Sequence, residues 1–563
     1  MKTKYKYLIL LIVTLLSSVF IYYYIEANEA VTYEISVLDN QKEIEKGLKS
    51  DNDYSIDNPK VILNPYNISP LTALVIFKTS DLASTEVIIK GRDGDEDIIN
   101  TFVPSKVHYI PIYGLYADYD NTVIIKSSGE EKVLNIKTEA LTEGLKNARV
   151  LDNDDEFLFT TSDDGYPVAY DKNGNVRWYL TKNFKFDFTR LSNGYILLGN
   201  SELMKTPYYS SSLYEMDLLG KIYFEYLIPD GYHHDVYEMT NGNFLVLSND
   251  FESGTLEDVI VEIDRDSGEI IKSFNLYDLF PNDNGKNWID LNSVIYDSST
   301  NSIFTVGSHI NSIINLDYNT GEINYTIGNT KKALNPLNNP SMPISPKGLV
   351  LTDDGIAFIS TKENNDYFIR YKIDNNNRTF EELENINLGD KADNVTMDYN
   401  DGIFIVTRDN IIQKIDNNVT DLMNCDNNLY SAKKSSMYTG DIYMLNDVVK
   451  LGNLGITPTT KGGPVIIHKV DKDIYKKYDL SLIQNSNRLV VSGTFKKGDK
   501  VQVVLDNVLS KETYDVDVLE GKKTSEGKYK TQTYINKEGI YGKHYIYLRI
   551  NGKVYKLQKY IVS

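Results

Sequence analysis

The sequence has one cysteine, Cys425, in 563 residues. That excludes an internal disulfide framework and any cysteine-based metal cluster. Positive charge is short as well: 59 Lys and Arg stand against 79 Asp and Glu, a formal charge of −20. Such a field argues against nucleic acid as a partner, since a phosphate backbone is bound by the opposite sign. A small anion can still bind where a pocket sets local cations against the global field. Histidine is scarce, with six in the chain. Two of them are adjacent, in Gly231–Asp250, GYHHDVYEMTNGNFLVLSND, where His233, His234 and Asp235 lead into an Asn241-Gly242 turn. Asn-Gly between two alternating runs is a strong hairpin signal, so the pair sits at the mouth of a strand. Adjacent strand residues point to opposite faces, so a metal site built on both histidines is not expected.

What the chain does have in quantity is aromatic and alternating sequence, including 43 tyrosines. Lys2, Lys4 and Lys6 precede the apolar run Tyr7–Ile25, and Glu26 and Glu29 follow it. The run nearly reaches the length a spanning helix needs, and the charge order puts the amino terminus in the cytoplasm. No small-x-small cleavage site lies at its end. Residues 1–30 are therefore expected to form a single-pass anchor in the cell membrane, with the bulk of the chain on the extracytoplasmic side.

The remainder reads as all-β. Residues 31–147 show about seven short alternating strands broken by polar turns, the pattern of a β-sandwich. His108 lies alone in one of them and is expected to be structural. Between 148 and 475 one hairpin recurs, at Asp164-Gly165, Asn193-Gly194, Asn241-Gly242, Ser299-Thr300-Asn301, Asp354-Gly355 and Asp401-Gly402. A second turn follows, as in Asp171–Gly174, Asp217–Gly220, Asp264–Gly268 and Asp317–Gly321. A period of roughly 40–57 residues with two turns each implies four-stranded blades, hence a six-bladed β-propeller. Residues 479–563 turn to Lys-rich alternating strands and read as a small β-sandwich-like domain.

A repeat of this kind makes positions comparable. Inner strands of a propeller start at one mouth, so residues at the same distance before each hairpin converge there. Eight residues before the hairpin glycine lie Phe186, His234, Lys347 and Asn394, and the fourth repeat starts its strand with Asp290 and Asn292. Polar groups from several blades facing one channel mouth favour a site over unrelated surface residues.

These residues also resemble a family. Asn64-Pro-Tyr, Pro70-Leu-Thr-Ala-Leu, Lys90-Gly-Arg-Asp-Gly-Asp and Ile110-Pro-Ile-Tyr-Gly-Leu-Tyr are similar to the amino-terminal domain of bacterial arylsulfate sulfotransferases. His233-His-Asp, Asn241-Gly-Asn, Leu291-Asn-Ser-Val and Tyr318-Asn-Thr-Gly-Glu resemble the propeller of that family. The resemblance implies transfer of a sulfuryl group from an aryl sulfate to a phenolic acceptor, through a transiently sulfated histidine, with no cofactor and no metal. It implies His234 and Lys347 as the catalytic positions. His233, Asp290, Asn292, Ser308, His309 and Asn394 are the implied substrate-binding positions.

The match departs from the pattern at three places. Asp290 stands where a histidine is expected, Ser308 (with His309 beside it) where an arginine is expected, and Lys347 where the nucleophilic histidine is expected. A lysine is protonated at neutral pH unless strongly desolvated, and an N-sulfo-lysine lacks the leaving group that a sulfo-imidazolium has. Serine for arginine removes a bidentate clamp on sulfate oxygens. Three readings follow: an arylsulfate sulfotransferase-like exported protein with weak or lost activity, a non-catalytic propeller binding protein for a phenolic or glycan ligand at the cell surface, and a scaffold with a merely hydrated channel.

Overall fold

The computed structural model describes residues 37–49, 54–151, 156–162, 167–182, 188–199, 209–249, 255–280, 287–363, 365–389, 392–398, 402–407, 410–415, 418–425, 429–439, 459–461, 465–466, 472–484, 488–506, 511–536 and 544–561. The expected anchor, 1–30, lies outside them. Among the described residues no helix is long and apolar enough to cross a membrane.

The first strand-rich stretch is organised by one bent strand. Ala73–Ile89 pairs through its first part with Lys60–Leu63 and through its last part with Asp120–Ser127, while Ile98–Ile112 runs along it as a further partner. Irregular register between Lys78 and Thr85 separates the two parts, so one chain segment serves two pairings. A bulge bends a strand and increases its twist. The stretch therefore holds five strands, completed by Glu130–Lys137, two of them 17 and 15 residues long, where about seven short ones were expected. Alternation alone does not distinguish two short strands from one bulged strand. His108 is a packing residue there, stacked on Phe77 at 4.4 Å and held 2.9 Å from each of the Thr79 and Thr85 hydroxyls.

A helix, Val37–Lys49, precedes this sheet. Its Gln41 side chain mimics a strand: Nε2 donates to the Ile222 carbonyl and Oε1 accepts from the Ile222 N–H, both at 2.8 Å. One turn on, Glu45 pairs with the fully buried Lys221 and accepts from the Tyr66 hydroxyl.

Asp217, next to this pair, opens the turn to Gly220 and accepts from the Leu219 and Lys221 N–H groups and the Tyr223 hydroxyl, all at 3.0 Å. Burial outweighs those bonds and pushes its carboxyl up to about 6. A folded-state value above the unfolded one stabilises the fold below the unfolded value, near 4, and that contribution is lost as pH rises through 6. Asparagine keeps the two backbone bonds without the charge. Asp217→Asn is expected to gain stability relative to the unmodified chain between pH 4 and pH 7. The gain should reach about 3 kcal/mol, because a tenfold change in proton affinity is worth about 1.4 kcal/mol. Thermal midpoints of both proteins across that range test it, and parallel curves would refute it.

From Arg149 to Asn424, with Leu429–Ser435 added, the described residues build six sheets, five of them on four consecutive antiparallel strands and one on three consecutive strands joined by Leu429–Ser435. The inner strands are Leu429–Ser435, Phe188–Arg190, Val236–Glu238, Leu291–Asp297, Lys347–Thr352 and Ala392–Asp398. They touch one another in a closed cyclic order. Closure is made twice. Leu429–Ser435 supplies the inner strand beside Phe157–Ser162, and Arg149–Val150 adds to the outer edge of the last sheet through Asn418–Asn424. Asp164-Gly165 and Asp401 lie outside the described residues, and the former falls in sequence between the second and third strands of its sheet, whereas the Asn193, Asn241, Ser299 and Asp354 turns join the first and second.

Strands such as Phe244–Ser248 and Val259–Ile263 are buried along their whole length because each sheet is packed on both faces. Leu245, Leu247 and Ile260 pack with Leu291, Ile303 and Ile314 of the next sheet, and Val306 and Ile327 pack with Leu349 and Phe358 of the one after. Gly242 closes its hairpin at φ +87° with its N–H on the Met239 carbonyl, a conformation that favours glycine.

A separate compact unit follows Gly463. Its helix Lys472–Tyr478 and two sheets share a core of Leu482, Leu489, Val503, Ile535, Ile546 and Leu548.

Candidate functional site

The fourth strand of the second sheet, Ile222–Tyr232, with Thr459–Lys461 paired beyond it, ends where the inner strand of the third begins. Between them the chain bulges. His234 is left-handed at φ +53°, the Asp235 N–H bonds back to the His233 carbonyl at 2.7 Å, and His233 and Asp235 both bond to Leu247. This bulge overturns the expectation that the adjacent histidines face opposite ways: their Nδ1 atoms are 3.0 Å apart and the rings meet edge to face.

The contact settles which nitrogens carry protons. His233 is fully buried, and its Nε2 lies 2.9 Å from the Ser248 carbonyl, which can only accept. Nε2 therefore holds the hydrogen. Burial, then the neighbouring His234, keeps this ring neutral by pushing its pKa well below the ordinary value. The His233 Nδ1 is then an acceptor, and His234 donates to it from Nδ1. That leaves the lone pair of His234 on Nε2, and burial holds this ring toward the neutral form against the pull of Asp290. Asp235 staples the arrangement to the next sheet, its Oδ2 accepting from the Val294 N–H at 2.8 Å and the Ser293 hydroxyl at 3.2 Å. Burial pushes its carboxyl up to about 6.

Asp290 precedes the inner strand of the fourth sheet and is also left-handed, at φ +57°. Its Oδ2 lies 3.8 Å from the Nε2 of His309, whose Nδ1 hydrogen goes to the Asn287 carbonyl at 2.9 Å. The Leu291 N–H, one residue on, donates to the Glu257 carbonyl at 3.0 Å. Burial, then Asp290, pushes Glu257 up to about 7. The Tyr209 hydroxyl donates to Glu257 Oε1 at 2.9 Å.

Asn292 and Ser308 form a second group. Asn292 Nδ2 donates to the Ser308 hydroxyl at 2.5 Å, and Ser308 donates to the Pro346 carbonyl at 2.8 Å. Ser308, only 5% exposed, thus braces the fourth sheet against the segment entering the fifth. The next residue, Lys347, reaches toward Asp366 at 3.9 Å. Asn394 lies on the inner strand Ala392–Asp398, and its side chain is outside the described residues. His233, His234, Asp290 and His309 are joined in one chain of neighbours, Asn292 and Ser308 in another, and Lys347 in a third with Asp366.

Counting from inner hairpins missed Tyr209, Glu257 and Asp366. All three stand at the start of a third strand, which begins at the same end of its sheet as the first. A second count was available: seven or eight residues before the aspartate of each second turn (Asp217, Asp264, Asp317 and Asp374) lie Tyr209, Glu257, His309 and Asp366.

Residues 143–340 match the family described as Arylsulfotransferase (ASST), and residues 60–141 match the arylsulfotransferase Ig-like domain. The chain belongs to the arylsulfotransferase family. A curated relative, the arylsulfate sulfotransferase AssT of Lelliottia amnigena, is 21% identical over 290 residues, which is 38% of this chain. The match spans about half of that relative, 48% of its length. Among solved structures, a 6-phosphogluconolactonase-like protein of Bacteroides fragilis aligns with 64% of this chain and 99% of its own at 13% identity and a TM-score of 0.33. The periplasmic gluconolactonase of Pseudomonas aeruginosa aligns with 63% of this chain and 100% of its own at 8% identity and a TM-score of 0.32. The WD40 propeller domain of Doa1 aligns with 61% and 96% at 12% identity and 0.27.

The matched stretch contains His233, His234, Glu257, Asp290, Asn292, Ser308 and His309. It stops short of Lys347, Asp366 and Asn394.

Proposed function

We propose that this protein carries out slow sulfuryl transfer from an aryl sulfate to a phenolic acceptor, with His234 as nucleophile at the mouth of a six-bladed propeller. The observation that carries the reading is the hydrogen bond from His233 to the Ser248 carbonyl. It fixes the tautomers of both rings and puts the His234 lone pair on Nε2. A neutral imidazole nitrogen attacks sulfur, the aryl oxygen leaves with the S–O electron pair, and the sulfo-imidazole formed is itself a good leaving group toward the acceptor oxygen. Six four-stranded sheets in cyclic contact support the propeller, and the family match supports the reaction class.

Turnover is slow in this reading for two reasons. No arginine clamps the sulfate from position 308, and Lys347 stands where the resemblance places the nucleophilic histidine. A second reading, a binding protein for a phenolic or glycan ligand, is favoured by the turning of Lys347 toward Asp366. Membrane anchoring by residues 1–30, with the propeller on the extracytoplasmic side, belongs to the same proposal.

The test is incubation with 4-nitrophenyl sulfate and phenol, on purified chain and on membranes washed in high salt. Slow 4-nitrophenolate release and a sulfuryl mass on the peptide holding His234 are expected, both lost in His234→Ala. Fast release that survives His234→Ala would remove this mechanism. Saturable donor binding with no release would select the binding protein, and recovery of the chain only in the soluble fraction would remove the anchor.

A further inference from the structure

The transfer just described leaves a proton unaccounted for: the leaving phenolate needs one and the acceptor phenol must lose one. One group of side chains at the mouth suits that exchange. Glu257 is 6% exposed and Tyr209 is 1% exposed. Tyr209 occupies Glu257 Oε1, whereas Glu257 Oε2 is buried and, among the described residues, meets no donor in hydrogen-bonding geometry, the Asn287 side chain being its polar neighbour. The Leu291 N–H on the Glu257 carbonyl brings Asp290 beside it, and burial, then Asp290, holds the Glu257 carboxyl toward its protonated form. A carboxyl buried beside a second carboxyl keeps its proton more readily than one in water. A hydrogen on Glu257 Oε2 supplies the missing partner.

The backbone holds the pair in register. The Leu291 N–H donates to the Glu257 carbonyl at 3.0 Å, and the Glu257 N–H donates to Asn249 Oδ1 at 2.7 Å. Glu257 is the inner member. Asp290, with 24% of its side chain exposed, is the outer one, and it stands beside both His234 and His309.

We propose that Asp290 is a catalytic acid and base of this site, with Glu257 as the buried residue that positions and stores its proton. The proposal rests on the transfer reading above. In the first half-reaction the N–S bond forms on His234 Nε2 and the S–O bond breaks. The bond's electrons go to the aryl oxygen, which takes the Glu257 proton through Asp290. In the second, the acceptor oxygen bonds to sulfur, the N–S electrons return to Nε2, and the acceptor's proton restores the pair. Donor and acceptor supply every atom and proton.

A general acid matters most when the leaving group is poor. Glu257→Gln keeps the shape, accepts from Tyr209 through Oε1 and donates an N–H to Asp290, but has no proton to give. With phenyl sulfate as donor, Glu257→Gln and Asp290→Asn are expected to lower transfer on the order of 10²-fold. With 4-nitrophenyl sulfate, whose phenolate leaves unaided, the loss should stay under about tenfold. Equal losses with both donors would overturn the proposal while leaving the transfer reading intact. Absence of transfer from either donor in the unmodified chain would instead remove that reading. Independently of turnover, infrared spectra at neutral pH should show a carboxylic acid carbonyl band that both variants lose. A band retained in both would also overturn the proposal.

Discussion

Lys347→His should raise aryl sulfuryl transfer on the order of 10²-fold, which corresponds to about 2.7 kcal/mol off the barrier. The family resemblance places a histidine at this position, and a protonated ammonium has no lone pair to offer sulfur. The Asn292 and Ser308 brace already fixes the Pro346 carbonyl one residue away, so the substitution enters a held backbone. In the variant the sulfuryl mass is expected at residue 347, with His234 still required. Release rates and peptide masses check this, and an unchanged rate would mean that position 347 does not face the donor. Adding Ser308→Arg does not rebuild a clamp. Ser308 is buried and both its bonds hold the brace together, so arginine there should lower stability and cancel the gain.

Lys347→Ala is expected to destabilise the protein by about 2 kcal/mol. Breaking a buried pair costs roughly 3–5 kcal/mol, and the lower figure reflects a lysine 24% exposed and a separation of 3.9 Å. Asp366 has 1% of its side chain exposed; Oδ1 accepts from the Thr361 hydroxyl, and among the described residues Oδ2 meets no hydrogen-bond donor. Without the ammonium, a carboxylate is left uncompensated in a dry place. Asp366→Asn should restore most of the loss in the double variant, because the charge that lacked a partner is gone. Urea midpoints of the two single variants and the double variant test the coupling, and additive effects would show that the two residues act independently.

Much of this protein could be read from local pattern. Turn chemistry recurs because each sheet needs the same tight connections, so Asn193-Gly194, Asn241-Gly242, Asp354-Gly355 and Asp401-Gly402 located first strands. The unusual His233-His234-Asp235 and the Asp290-Leu-Asn292 sequence marked strand entrances without any coordinates. Pairing over distance was not written locally. That Leu429–Ser435 closes the first sheet depends on a partner far back in the chain, and a bulged seventeen-residue strand alternates like two short ones. The chemistry of the site was decided the same way. Only a left-handed His234 turns two adjacent rings toward each other, and only the Ser248 carbonyl beyond them assigns their protons. Glu257 becomes an acid because folding places it against Asp290 and away from water, and neither neighbour nor burial is a property of residue 257 by itself.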